Sequence, residues 1–216
     1  GEGGAGPFSD GKLNTGIKDP CGRIQAVLDD FITFGAPEEI RYLNKPHIGT
    51  DYLKSIMKEM REEIINLGGE IHFNSTFITY HEDSDGIEAI ISQNNQEFTY
   101  KTNALILAIG HSARDTFRNL HKEKLPMEPK AFAIGLRIEH PRDLIQKSQY
   151  GDSKLAMKLP SADYKMTFRS SEGRRVYSFC MCPGGFVVNA SSGENQAVVN
   201  GMSNHGRDEI NSNSAI

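Results

Sequence analysis

A mixed α/β fold is what this sequence predicts, and three observations carry the prediction. Leu53, Ile56, Met57, Met60, Ile64 and Leu67 form one apolar stripe at helical spacing. Between Glu70 and Lys101, short apolar and aromatic runs are cut by Asp83-Ser84-Asp85-Gly86 and by Asn94-Asn95, the punctuation of a strand meander. Ala104-Leu105-Ile106-Leu107-Ala108-Ile109-Gly110 is uniformly apolar, the pattern of a strand buried on both faces of a parallel sheet covered by helices. Within the chain itself the arrangement is α+β, with one domain over residues 1–128 and a β-rich region over 129–216.

The chain opens on a loop, Gly1 to Thr15, with five glycines in its first eleven residues. Glycines keep side chains away and admit positive φ, so that amide groups converge on an anion or lie against a flat ring. The same composition suits a flexible terminus. Ile24, Val27, Leu28, Phe31 and Ile32 then predict a helix over 22–34, stopped by Gly35. Pro37, Pro46, His47 and Gly49 hold an extended connection to the second helix. Thr50 is its expected N-cap, Lys54, Lys58, Glu59, Glu62 and Glu63 its polar face, and Gly68-Gly69 its end.

Strands are expected at Ile71–Phe73, Thr76–Tyr80, Ile87–Ser92 and Phe98–Tyr100. The apolar strand 104–110 runs through His111 into a helix with Ser112 as cap and Asp115 as capping-box partner. In the second half, Phe132, Ile134, Leu136 and Ile138 alternate with Ala133, Gly135, Arg137 and Glu139, which predicts a strand with one apolar and one polar face. Further strands are expected at 164–168, 176–181, 186–190 and 198–200. Ser171-Glu172-Gly173 and Pro183-Gly184-Gly185 serve as hairpin turns between the first three. The tail from Ser191 is polar, anchored at Asn200 to Ser203, with Asn211-Ser212-Asn213-Ser214 as the expected frayed end.

The composition excludes several function classes. The chain has 216 residues, 38% hydrophobic, with scattered basic residues and a net charge of −4. That balance lacks the electrostatic footprint of a nucleic-acid or anionic-membrane binder and leaves small-molecule ligands open. No apolar run approaches a membrane span, and no basic-then-apolar leader opens the chain, so the cytoplasm is the default location. Three cysteines, an odd number, fit free thiols in a reducing compartment.

Candidate chemistry concentrates at a few positions. Ligands of open α/β sheets sit at the carboxyl ends of strands, so Gly110, His111 and Ser112 are candidates for a ligand contact. His111 is a candidate for proton transfer, or a loop histidine without that role. Arg137 either binds a carboxylate substrate or pairs with a neighbour such as Glu139. Cys180 and Cys182, at i and i+2 on a strand, share one face and suit a thiol relay. The alternative is a pair of small buried hydrophobes. Neither the spacing nor the number of thiols makes a metal site, and none is expected.

The succession of helix, Gly-Gly, meander and apolar Gly-ending strand resembles the second portion of two-dinucleotide-binding-domain flavoproteins. More narrowly, five segments resemble the uncharacterised FAD-dependent dehydrogenase family of bacteria: Gly1 to Asp19, Ala108 to Thr116, Ala133 to Pro141, Tyr177 to Gly185 with its Phe-Cys-Met-Cys-Pro-Gly-Gly run, and Asn200 to Ser203. The resemblance runs in order through nearly the whole chain. It implies part of a Rossmann-like FAD-binding domain over 1–128 with a meander insertion, and an antiparallel substrate or cap region over 129–216. It also implies FAD contacts at Gly3, Gly4, Ser9, Asp10, Gly11, Lys12, Leu13, Gly110, His111 and Ser112, and hydride transfer between a small-molecule substrate and flavin, with NAD(P)H a candidate donor. In such proteins the first βαβ unit, with its Gly-X-Gly-X-X-Gly phosphate turn, is expected upstream of Gly1. The expectation is therefore of an excised middle segment that is inactive by itself and does not retain FAD. Two other classes stay open: a ligand-binding or assembly module without catalysis, and a cysteine redox or metal-binding protein resting on Cys180 and Cys182.

Overall fold

The computed structural model describes residues 2–4 and 6–216. In chain order the elements are α1 (Arg23–Thr33), α2 (Thr50–Asn66), β1 (Ser75–Asp83), β2 (Gly86–Gln93), β3 (Gln96–Thr102), α3 (Arg114–Lys122), β4 (Arg137–Pro141), α4 (Arg142–Tyr150), β5 (Thr167–Arg169), β6 (Arg175–Tyr177), β7 (Phe179–Cys182), β8 (Phe186–Asn189), β9 (Val199–Met202) and β10 (Asn211–Ala215). The chain divides into two compact units, Gly1–Ile64 with Ile134–Ile216, and Ile65–Ala133. The division expected at residue 128 falls near the end of the second unit. No helix among the described residues is long and apolar enough to cross a membrane.

In the first unit the two helical stripes do what their spacing requires. Leu28 of α1 and Leu53 and Ile56 of α2 meet Ala36, Ile40 and Ile48 in one apolar core, with Leu13, Phe31 and Met57 packed around it. Gly35 ends α1 in a conformation open to glycine, φ 102°. Thr50 departs from its expected role. Its hydroxyl donates to the Pro7 carbonyl at 2.6 Å instead of capping the helix.

That contact belongs to a larger seam. The opening loop runs antiparallel to residues 46–49 through Leu13 N to Pro46 O at 2.9 Å, Ile48 N to Gly11 O at 3.0 Å and Gly49 N to Asp10 O at 3.0 Å. On its other side the same segment holds the 203–205 turn: Thr50 N donates to Ser203 O at 3.0 Å, and His205 N to Asp51 Oδ1 at 2.9 Å. Two segments separated by nearly the whole chain are thus tied to one short connection.

His47 lies in this seam, stacked on His205 with ring centroids 5.3 Å apart and its Nε2 3.1 Å from the His205 carbonyl oxygen. Burial, then the Arg207 charge, lowers its pKa from 6.5 to about 4. The unfolded ring takes up its proton near pH 6.5 while the folded ring stays neutral. This stabilisation is therefore complete above pH 6.5 and is lost as pH falls through about 4. A shift of that size corresponds to about 3 kcal/mol. Urea unfolding at pH 7 and pH 4.5 should show a smaller acid loss in His47→Gln than in the wild-type protein. Equal acid losses would contradict the assignment.

The second half of this unit is built on β10. It is the central strand of an antiparallel sheet ordered β4-β10-β7, with β5–β6 inserted between β4 and β7 in sequence and β8–β9 between β7 and β10. The expected frayed end is therefore the most buried strand of the sheet, with Ser212, Asn213 and Ser214 all fully buried. Its polarity is compensated by hydrogen bonds. Gly184 N donates to Ser212 Oγ at 2.9 Å, Arg137 donates to Asn213 Oδ1 at 2.6 Å, and Ser214 Oγ donates to the Phe179 carbonyl at 3.3 Å.

Two other expectations change here. Pro183-Gly184-Gly185 does not close a hairpin, because β7 pairs with β10 while β8 pairs with β9. The strand expected over 131–139 is regular only from Arg137, and its faces are inverted. Phe132, Ile134 and Leu136 are 84%, 90% and 78% exposed, while Gly135 packs on the Ile216 carbonyl and Arg137 reaches into the sheet.

The second unit contains the expected meander, β1-β2-β3, with α3 against β1. Its two turns fall where the Asp-Ser-Asp-Gly and Asn-Asn runs place them, Asn94 and Asn95 both at positive φ. Ile71–Phe73 forms no strand. Residues 104–110 form no strand either, and Ile106 is 89% exposed. A parallel strand exists only through neighbours that supply its hydrogen bonds, and every ladder among the described residues is antiparallel. The chain is thus mixed α and β with small antiparallel sheets. Ser112 does not cap α3: Ala113 holds the cap position without a side-chain bond, and the Ser112 hydroxyl meets His111 Nδ1 at 3.1 Å.

Candidate functional site

The opening loop and the sheet meet in one polar cluster. Gly11 stands at φ 65° between Asp10, which reaches Ser203 and Arg207, and Lys12, which reaches Cys180 and Cys182. Asp10 is 2% exposed, and its Oδ2 gathers Lys12 Nζ at 2.5 Å, Ser203 Oγ at 3.4 Å and Arg207 Nη2 at 3.6 Å. Lys12 Nζ also lies 3.5 Å from Cys182 Sγ and 3.9 Å from Cys180 Sγ. Both sulfurs of the Cys-Met-Cys run thus face one ammonium.

An irregularity of β7 helps to position them. Between its pairings Asn213↔Cys182 and Ala215↔Phe179, β7 spends one residue more than β10, a bulge. Cys180 sits in it at φ 48°, a conformation uncommon outside glycine. Arg137 Nη1 donates to the Cys180 carbonyl at 3.3 Å and fixes the bulge from the side of β4. Arg137 does not pair with Glu139. It pairs with the Asn213 and Asn200 side chains and the Cys180 carbonyl, while Glu139 accepts from Asn211. Gly201 completes the packing: a Cβ there would collide with Asn213 Oδ1 and Arg137 Nη1 and lie 2.8 Å from Cys182 Sγ.

The two thiols are electrostatically distinct. A hydrogen bond from Cys182 outweighs burial and, together with the Lys12 charge, lowers the Cys180 pKa to about 5. The same hydrogen bond, with burial, pushes Cys182 upward. Burial opposes the Lys12 ammonium, but Asp10 and the sulfurs outweigh it and raise its pKa. The cluster thus favours the thiolate form at the half-buried Cys180 and disfavours it at the buried Cys182. Two buried donors among these residues, Arg207 Nε and Asn213 Nδ2, have no hydrogen-bond partner.

Of the site residues expected from sequence, the structure brings Asp10, Lys12, Arg137, Cys180 and Cys182 together. Ser9 closes its own loop, donating to Gly6 O and accepting from Gly11 N, both at 3.2 Å. Leu13 packs on the helical core. Gly3 packs tightly, since a Cβ there would lie 2.8 Å from Pro7, whereas one at Gly4 or Gly6 would meet nothing within 4 Å. Gly110, His111 and Ser112 belong to the second unit. There Gly110 has φ 71° with open space beside it. Sequence reasoning missed Arg207 and Asn213, which lie in the polar tail, where no apolar periodicity marks a strand or a site. Among the described residues no three His, Cys, Asp or Glu side chains converge as a metal site.

Comparison with known proteins gives two findings. Residues 131–216, which include β4, β7 and β10, match the family described as FAD-dependent protein, C-terminal domain-like. The whole chain is 54% identical, over 219 residues, to a protein of Clostridium beijerinckii described as uncharacterized. The chain spans 40% of that relative's length.

Proposed function

We propose that this chain is the part of an FAD-dependent oxidoreductase that combines a flavin-facing loop with the C-terminal sheet, and that the whole protein acts on a small-molecule substrate. The observation that carries the reading is the FAD-dependent family match over 131–216, together with the docking of the opening loop on that same region through Asp10 and Lys12. The residues present fit such a cofactor. Gly4 and Gly6 leave open space where a side chain would stand, so a planar ring can approach the backbone.

Bound there, the flavin supplies hydride acceptance or donation. The chain's own residues supply the surroundings. Gly4 and Gly6 would admit the ring, and Lys12, held by Asp10, would supply positive charge to the site. The substrate is taken by the β-rich half of the same unit.

Titrating FAD with the protein expressed from its complete reading frame should quench flavin fluorescence. Gly6→Val, which fills open space without straining the backbone, should weaken binding about tenfold or more while leaving thermal unfolding unchanged. Absence of quenching by the wild-type protein, or undiminished binding by Gly6→Val, would count against the reading.

A further inference from the structure

We propose that Cys180 and Cys182 form a dithiol–disulfide redox pair, in which Cys180, held against the Lys12 ammonium, attacks a disulfide substrate and Cys182 resolves the mixed disulfide. The inference stands on the geometry of the cluster and does not rest on flavin binding. Two cysteines packed merely as small hydrophobes would need no ammonium. Here Lys12 arrives from the opposite end of the chain to lie 3.5 Å and 3.9 Å from the two sulfurs. The bulge at Cys180, with its positive φ and its carbonyl held by Arg137, is a local distortion at the position where the thiolate stands.

The asymmetry assigns the roles. Cys180 is half-buried and within reach of a ligand, whereas Cys182 is fully buried and hydrogen-bonded to Cys180. The groups facing Cys180 are Lys12 and Asp10 from the loop, Arg137 from β4 and Cys182 from β7, with Arg207 acting on Cys182. Cys21, the third cysteine, is exposed and belongs to the 13–31 segment.

The chemistry balances with a disulfide as oxidant. The Cys180 thiolate attacks one sulfur of RSSR, forming a protein mixed disulfide and releasing one thiolate. The Cys182 thiol then transfers its proton to that thiolate and attacks Cys180 Sγ. A Cys180–Cys182 disulfide forms and the second thiolate leaves. The dithiol is oxidised by two electrons, and RSSR is reduced to one thiol and one thiolate. The substrate class is a small or peptidyl disulfide, and the reverse direction reduces the pair with two thiols.

The test uses the protein from its complete reading frame, equilibrated with oxidised glutathione, quenched in acid and digested with trypsin. One tryptic peptide, residues 176–207, holds both cysteines and excludes Cys21. It should lose about 2 Da, the two hydrogens of the dithiol, while circular dichroism is unchanged. Cys182→Ser should instead accumulate a glutathione adduct at Cys180. At pH 6.5, iodoacetamide should label Cys180 about tenfold more slowly in Lys12→Met than in wild type, with Lys12→Arg restoring the rate. A folded wild-type protein whose peptide shows no mass loss, or only a stable adduct, would overturn the redox pair. So would equal labelling rates in Lys12→Met and wild type.

Discussion

Gly184→Ala should destabilise the unit that carries the cluster by about 2–6 kcal/mol, enough to unfold it in a marginally stable protein. Two costs combine. Gly184 has φ 46°, where a Cβ costs about 1–3 kcal/mol, and that Cβ would collide with the Arg207 carbonyl, an overpacking of about 1–3 kcal/mol against backbone that cannot turn aside. The site tolerates no compromise because Gly184 is bonded on both sides: its N donates to Ser212 Oγ, and its carbonyl accepts from Glu209 N at 3.2 Å. Moving the 207–209 turn would also draw Arg207 away from Asp10. Urea denaturation of Gly184→Ala should give a large drop in midpoint, whereas Gly6→Ala, at an open position, should fall close to wild type.

Asp10→Asn should have the second largest effect. Asp10 is the buried anion that Lys12 and Arg207 share, and removing one partner of a buried ion pair costs about 3–5 kcal/mol. The Lys12 and Arg207 side chains are 29% and 19% exposed, which reduces the expected loss to about 2–3 kcal/mol. The substitution also has a chemical signature. Asp10 raises the Cys180 pKa, so its removal should make the Cys180 thiol more acidic even as the fold weakens. Unfolding free energy and the apparent pKa of Cys180 alkylation, measured on one sample, should both fall. A variant as stable as wild type would show that Asp10 does not hold the seam.

Sequence reasoning succeeds where a single local rule decides. The stripes of α1 and α2, the Asp-Ser-Asp-Gly and Asn-Asn turns, and the three long strands between residues 75 and 102 depend on periodicity and turn chemistry within a few residues of themselves. It fails where partners far along the chain decide. Residues 104–110 carry the apolarity of a doubly covered strand, yet no neighbouring strand pairs with them among the described residues. Ser212, Asn213 and Ser214 read as a soluble tail because their burial depends on donors and acceptors at Arg137, Phe179 and Gly184. Ser112 reads as a cap, but its hydroxyl is engaged by the adjacent His111 ring.

The candidate site was legible in the same uneven way. Cys180, Cys182 and Arg137 stand out by residue type and spacing, and Asp10 and Lys12 by a family resemblance. Nothing local joins these two groups. Their meeting requires the seam at residues 46–51, which binds the opening loop on one side and the 203–205 turn on the other. Arg207 and Asn213 are then placed by that same closure, at positions whose sequence neighbourhood is polar and unpatterned.

The most direct test of the flavoprotein account is the absorption spectrum of the protein expressed from its complete reading frame and saturated with FAD, then freed of unbound cofactor. The account predicts a flavin spectrum that travels with the protein and bleaches on anaerobic addition of a reductant. A folded protein that emerges colourless would contradict it.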